Sequence, residues 1–153
     1  MPLNKNGYTK KQRQQWMSIL AKSLSRELED AWQGMSEKPL YRHLHKPETG
    51  SIMVRGRAGG SGIRFNLGEM TATRCTIQIE KGHVGSAYVM GRDHRHAELA
   101  AIFDALLQDP LHHHKISNSV VSSLKISYDK RKEEVAKKSA ATKVDFFTMV
   151  RGE

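Results

Sequence analysis

Two stretches carry residue types and spacings that could do chemistry. In RGRAGGSGIRF, residues 55–65, Gly56, Gly59, Gly60 and Gly62 lie among Arg55, Arg57 and Arg64. Backbone N–H groups freed by glycines can form an anion-binding concavity, and guanidinium forks grip phosphate or phosphonate oxygens in pairs. The spacing is neither a Walker loop, which ends in Gly-Lys-Ser/Thr ahead of a helix, nor a dinucleotide fingerprint. A hairpin connection is the plainer explanation of the same glycines.

The second stretch, GRDHRHAEL at 91–99, gathers Arg92, Asp93, His94, Arg95, His96 and Glu98 at an expected strand-to-helix junction. Helix N–H groups face outward there and welcome anions. His96-Ala97-Glu98 invites comparison with the His-x-Glu of zinc deaminases, but those enzymes also need a downstream Pro-Cys-x-x-Cys. The only cysteine, Cys75, lies upstream. His96 and Glu98 therefore read as capping, packing or polar-network residues.

The run His112 to His114 offers imidazoles, yet consecutive residues splay apart on any regular backbone and no nearby carboxylate or thiol completes a site. His43 and His45, expected on one strand face, are possible ligands or ordinary surface residues. No metal site is expected. With no nucleophile elbow, no Cys and His pair in a specific context and no carboxylate dyad, no catalytic residue is expected either.

The elements that must position these residues follow from periodicity. Thr9 offers a helix cap, and Trp16, Ile19, Leu20, Leu24, Leu28 and Trp32 recur at helical spacing, so residues 9–34 form one long helix or two short ones. From 40 to 91 the period becomes two: Ile52 and Val54, then Ile63, Phe65 and Leu67, then Cys75, Ile77 and Ile79. The segments KPETGS, GRAGGSG, NLGE and EKGHVG supply turn residues between them. A dense apolar helix follows over 92–109, capped by Asp93 and ended by Pro110. Residues 117–125 read as a loop or short link, and 127–142 as a charged helix. The expected fold is α+β, an antiparallel β-sheet meander of four or five strands with N-terminal, central and C-terminal helices packed on it. It spans residues 9–143, between a flexible N-terminus at 1–8 and an apolar docking segment at 144–153.

Composition narrows the function classes. The 153 residues include 25 Lys and Arg against 16 Asp and Glu, a formal net charge of +9. Such a balance points to nucleic acid, an anionic surface, a phosphate-rich ligand or an acidic subunit. Only 38% of residues are apolar, a thin core that suggests support from a partner. A lone cysteine favours a reducing compartment, and no apolar run reaches membrane-spanning length. The C-terminal VDFFTMVRGE crowds Phe146, Phe147 and Met149 beside Arg151, apolar surface that must be covered by this chain or by another subunit.

RQQWMSILA (13–21), ETG (48–50), GGSGIRF (59–65), GRDHRHAELAAIFDALLQ (91–108) and VDFFTMVRG (144–152), in that order, resemble the PhnG family. PhnG is a subunit of the bacterial carbon–phosphorus lyase core complex. The resemblance implies a cytoplasmic protein that assembles with PhnH, PhnI and PhnJ and acts with PhnL. It implies participation in transfer of the ribose triphosphate group of ATP to methylphosphonate, displacing adenine. In that family the nucleosidase chemistry is attributed to PhnI and the radical carbon–phosphorus cleavage to PhnJ. A noncatalytic assembly subunit is thus expected, with no cofactor of its own, ATP and phosphonate being substrates of the complex.

The resemblance supplies no residue-level site. Chemistry nominates Arg57, Gly59, Gly60, Gly62, Arg64, Arg92, Asp93, His96 and Glu98 for anion or interface binding, and Phe146, Phe147, Met149 and Arg151 for partner docking. The alternative is a basic nucleic-acid-binding α+β module using the Lys-rich helix. Against it, Phe65 and Tyr88 are too scattered for a stacking platform.

Overall fold

The computed structural model describes residues 7–143. The N-terminal pattern resolves into two helices, α1 (Lys10–Lys22) and α2 (Ser25–Gln33). Thr9 caps α1 reciprocally, its hydroxyl accepting from the Gln12 N–H while the Gln12 side chain accepts from the Thr9 N–H. Tyr8, ahead of the expected boundary, is buried and packs edge-on against Trp16.

Among the described residues the sheet has three antiparallel strands, not four or five: β1 (Tyr41–Arg57), β2 (Arg64–Ile79) and β3 (Val84–Met90), in that order. Two of the expected turns are irregularities inside long strands. Around NLGE the register slips from Val54 opposite Gly68 to Arg55 opposite Asn66, so Leu67 is an extra residue and the strand bulges instead of ending. KPETGS runs through β1, where the slip between His45 and Glu48 accommodates Pro47. A proline is tolerated because β1 is an edge strand that pairs only with β2.

After β3 the chain enters α3 (His94–Gln108), then α4 (Pro110–Ile116), which continues through a π turn (Ser117–Val121) into α5 (Ser122–Ala141). The expected loop at 117–125 is therefore helical. Its polar side chains bond back to the helix, Ser119 to the Lys115 carbonyl and Ser122 to the Ser117 carbonyl, while Ile116 and Leu124 reach the core. Asp109 ends α3 and caps α4, accepting from the Leu111 N–H with Pro110 in the first turn.

Helices cover one face of the sheet. α3 is the central element, with Leu99, Ile102, Phe103, Leu106 and Leu107 fully enclosed against Cys75, Ile77, Ile79 and Val89 of the sheet. Its close approach to β3 depends on Gly85, where a Cβ would lie 1.9 Å from the Ala101 carbonyl oxygen.

Candidate functional site

The glycine-rich cluster forms the far end of the β1–β2 hairpin. Gly59 and Gly60 take positive φ (58° and 83°), and the loop closes on itself through Gly62 N–H to Ala58 O at 2.8 Å and Ala58 N–H to Ile63 O at 3.3 Å. A Cβ at Gly62 would stand 2.6 Å from the Ala58 oxygen. The glycines thus serve a tight connection, and the N–H groups of Ala58 and Gly62 face inward. Arg57 donates to the Gly62 carbonyl at 3.2 Å and lies opposite Arg64 in the register.

The second cluster sits at the start of α3. Asp93 accepts from the His96 N–H at 2.9 Å. That bond, with help from the Ser25 hydroxyl and against partial burial, holds the carboxyl below its ordinary range. His96 is buried, its ring Nε2–H donating to the Leu20 carbonyl at 2.9 Å. This ties α3 to α1 and makes His96 structural.

Glu98 is the hub of the cluster. It accepts from Arg95 at 2.7 Å, from Tyr41 at 3.1 Å and faces His43 Nε2 at 2.8 Å. Burial works to raise its pKa, but the hydrogen bonds from Arg95 and Tyr41 and the facing charges prevail and hold it low. Arg95 also grips Glu29 of α2 at 2.8 Å, so one guanidinium joins two helices, and the Tyr41 contact adds the edge strand.

These two clusters do not meet. Seven residues of β2 lie between Arg64 and Ala72, the partner of Met90 next to Gly91 and Arg92, which is about 25 Å of strand. Arg57, Gly59, Gly60, Gly62 and Arg64 therefore sit at one end of the molecule, and Arg92, Asp93, His96 and Glu98 near its body. Phe146, Phe147, Met149 and Arg151 lie outside the described residues.

The histidine run lies in α4, and its rings diverge. His112 donates to Asp109 at 2.7 Å, whereas His113 donates to the Leu107 carbonyl at 2.7 Å and packs edge-on against Trp16. A carboxylate does stand beside the run, contrary to expectation, but Lys81 holds the same Asp109 oxygen at 3.0 Å. His43 and His45 are separated by a register slip and oppose Ile77 and Thr76, residues of opposite sheet faces. Among the described residues no group of three potential metal ligands occurs, and no helix is long and apolar enough to cross a membrane.

Sequence reasoning missed Asp104. This fully buried carboxylate accepts from Arg13 at 2.7 and 3.2 Å, Trp16 Nε1 at 2.8 Å and the Ser86 N–H at 3.0 Å. The signal was present, since a single acid amid AAIFDALL must find partners if that helix is buried. Also missed was the apolar character of the sheet's uncovered face, where Phe65, Leu67, Met70, Tyr88 and Met90 are exposed.

The model of the family Phosphonate metabolism protein PhnG matches residues 11–152. The chain is also similar to the alpha-D-ribose 1-methylphosphonate 5-triphosphate synthase subunit PhnG of Rhizobium meliloti (strain 1021). The two are 44% identical over 144 residues, covering 93% of this chain and 90% of that protein. Neither match favours the nucleic-acid alternative. The family match spans α1 to α5, both arginine-bearing clusters and most of the C-terminal segment, and the chain belongs to the PhnG family.

Proposed function

We propose that this chain is a subunit of alpha-D-ribose 1-methylphosphonate 5-triphosphate synthase, and that its role there is assembly, not chemistry. The observation that carries this is the 44% identity, along nearly the whole chain, to a protein of that name. The side chains best suited to catalysis are committed to the architecture. His96 holds α1, Glu98 joins Tyr41, His43 and Arg95, and Asp104 gathers Arg13, Trp16 and Ser86.

In this reading the folded body at 9–143 works in the cytoplasm with PhnH, PhnI, PhnJ and PhnL, and segment 144–153 docks on a partner through Phe146 and Phe147. ATP and methylphosphonate are substrates of the assembly, and this subunit needs no cofactor of its own. Arg57, Arg64 and Arg92 meet phosphate-bearing ligands or acidic partner surfaces, which guanidinium forks suit equally.

The test is adenine release from ATP plus methylphosphonate by the reconstituted synthase, with and without this chain, and by the chain alone. Dependence of the assembly on the chain, with no turnover by the isolated chain, is expected. Equal turnover without it would defeat the reading, and turnover by the chain alone would defeat the noncatalytic role. Removal of 144–153 should release the subunit from the assembly.

A further inference from the structure

The sheet face turned away from the helices changes character along its length. Near the body it is polar: Arg74 pairs with Glu48, Arg42 with Gln78, and Thr76 meets Ser86. Beyond Ala72 it becomes apolar. Ile52 lies opposite Met70, Phe65 opposite Gly56 with Leu67 beside it, and Tyr88 and Met90 of β3 adjoin at Arg74 and Ala72. Phe65 is 45%, Leu67 66% and Met70 47% exposed.

Among the described residues nothing supports the ribbon that carries this surface. β3 pairs with β2 only over residues 72–78, so the hairpin beyond is two-stranded, and from Gly50 to Thr71 no residue is buried. Two strands alone are marginal in water, and apolar side chains aligned on one face of such a ribbon mark an interaction surface. The register fixes the opposite face too: Arg55, Arg57 and Arg64 alternate with the apolar set and lie there with Met53. Between residues 50 and 71 these three arginines face a single acid, Glu69.

We infer that the β1–β2 ribbon inserts into a cleft of another synthase subunit, a cleft with an apolar floor for Ile52, Phe65, Leu67 and Met70 and carboxylates along the opposing wall. The inference rests on the synthase-subunit reading. Charge selects the occupant. A second copy packing on the apolar face would leave the three arginines on the far side of each ribbon uncovered, whereas a cleft with an acidic wall covers and neutralises them.

The test uses the full chain co-expressed with the other synthase subunits. Phe65→Asp/Met70→Asp alters only exposed positions, so its melting temperature should match that of the unaltered chain. Its affinity for the assembly should fall at least about tenfold, as for central apolar anchors of interfaces. Arg55→Glu/Arg57→Glu/Arg64→Glu should fall comparably, and Ile126→Asp, exposed on α5, should bind normally. Backbone amides of 52–70 should exchange more slowly in the assembly than in the free chain.

Unchanged affinity of the Phe65/Met70 variant, with unchanged exchange in the ribbon, would overturn the inference while leaving the subunit reading intact. An unaltered chain that fails to enter the assembly would overturn both. Self-association of the isolated chain that Phe65→Asp/Met70→Asp abolishes would make the occupant a second copy and overturn the inference alone.

Discussion

Arg13 and Asp104, 91 residues apart in sequence, form a two-pronged ion pair at 2.7 and 3.2 Å, with the carboxylate fully enclosed. The pair fastens α1 to α3. The additional bond from the Ser86 N–H brings in β3, so a single side chain joins three elements. The hydrogen bond to Asp104 is the main reason the Arg13 pKa is raised.

Removing that acid leaves the Trp16 indole N–H, the Ser86 N–H and a guanidinium without their acceptor. Breaking one side of a buried pair typically costs about 3–5 kcal/mol, and Asp104→Ala should fall in that range by urea denaturation. A loss below about 1 kcal/mol would show that the network is dispensable.

Asp109 supplies an acid-sensitive joint between α3 and α4. Burial pushes its carboxyl up, but Lys81, His112 and the Leu111 N–H prevail and bring it from 3.8 down to about 2. A folded-state pKa below the unfolded one adds stability that is present above about pH 4 and lost as pH falls toward 2. The shift corresponds to about 2 kcal/mol. Asp109→Asn keeps the cap but not the charge. Its melting temperature should lie below that of the unaltered chain at neutral pH and converge with it in acid; a gap independent of pH would contradict the assignment.

Gly85→Ala should be among the most damaging single-methyl additions. The new Cβ would lie 1.9 Å from the Ala101 oxygen and 2.6 Å from the Ala105 nitrogen, both backbone atoms of α3, so β3 and α3 must separate. Overpacking of this kind costs about 1–3 kcal/mol and sometimes more, measurable as a drop in melting temperature. Gly50→Ala, with open space at its Cβ, is the matched control.

Cys75 should be inert in the native protein. The thiol is 1% exposed, and burial, aided by the nearby Glu98 charge, raises its pKa to about 11. Iodoacetamide at mildly alkaline pH should label it in urea and leave it untouched in buffer. Rapid native labelling would mean that the sheet opens locally at β2.

Helices α1 to α3 and the charged part of α5 were legible in the sequence because their signals are local, whereas α4 was not. Thr9 with Gln12, Asp93 with the His96 N–H, and the apolar density of 97–107 each lie within one element. The strand count was not, since Asn66, Gly68 and Pro47 carry the same turn chemistry whether the chain reverses or merely slips its register. The π turn was hidden for a similar reason: Ser117, Asn118 and Ser119 favour loops until Ile116 and Leu124 are seen to anchor the helix on either side. Of the candidate site, the capping role of Asp93 was readable from its position before the helix. The separation of the two arginine clusters required the register.

The two-stranded ribbon also divides the molecule kinetically. Its pairings join residues close in sequence, from Arg57 with Arg64 out to Gly50 with Ala72, whereas the body is closed by contacts such as Tyr8 with Gln108 and Glu27 with Arg131, about a hundred positions apart. Long-range closure sets folding speed, so the body should limit the rate, and the hairpin should open and close as a small cooperative unit of its own. Substitutions beyond Gly50 should leave both arms of the body's chevron unmoved. Such a protein can vary its protruding hairpin without retuning the fold that carries it.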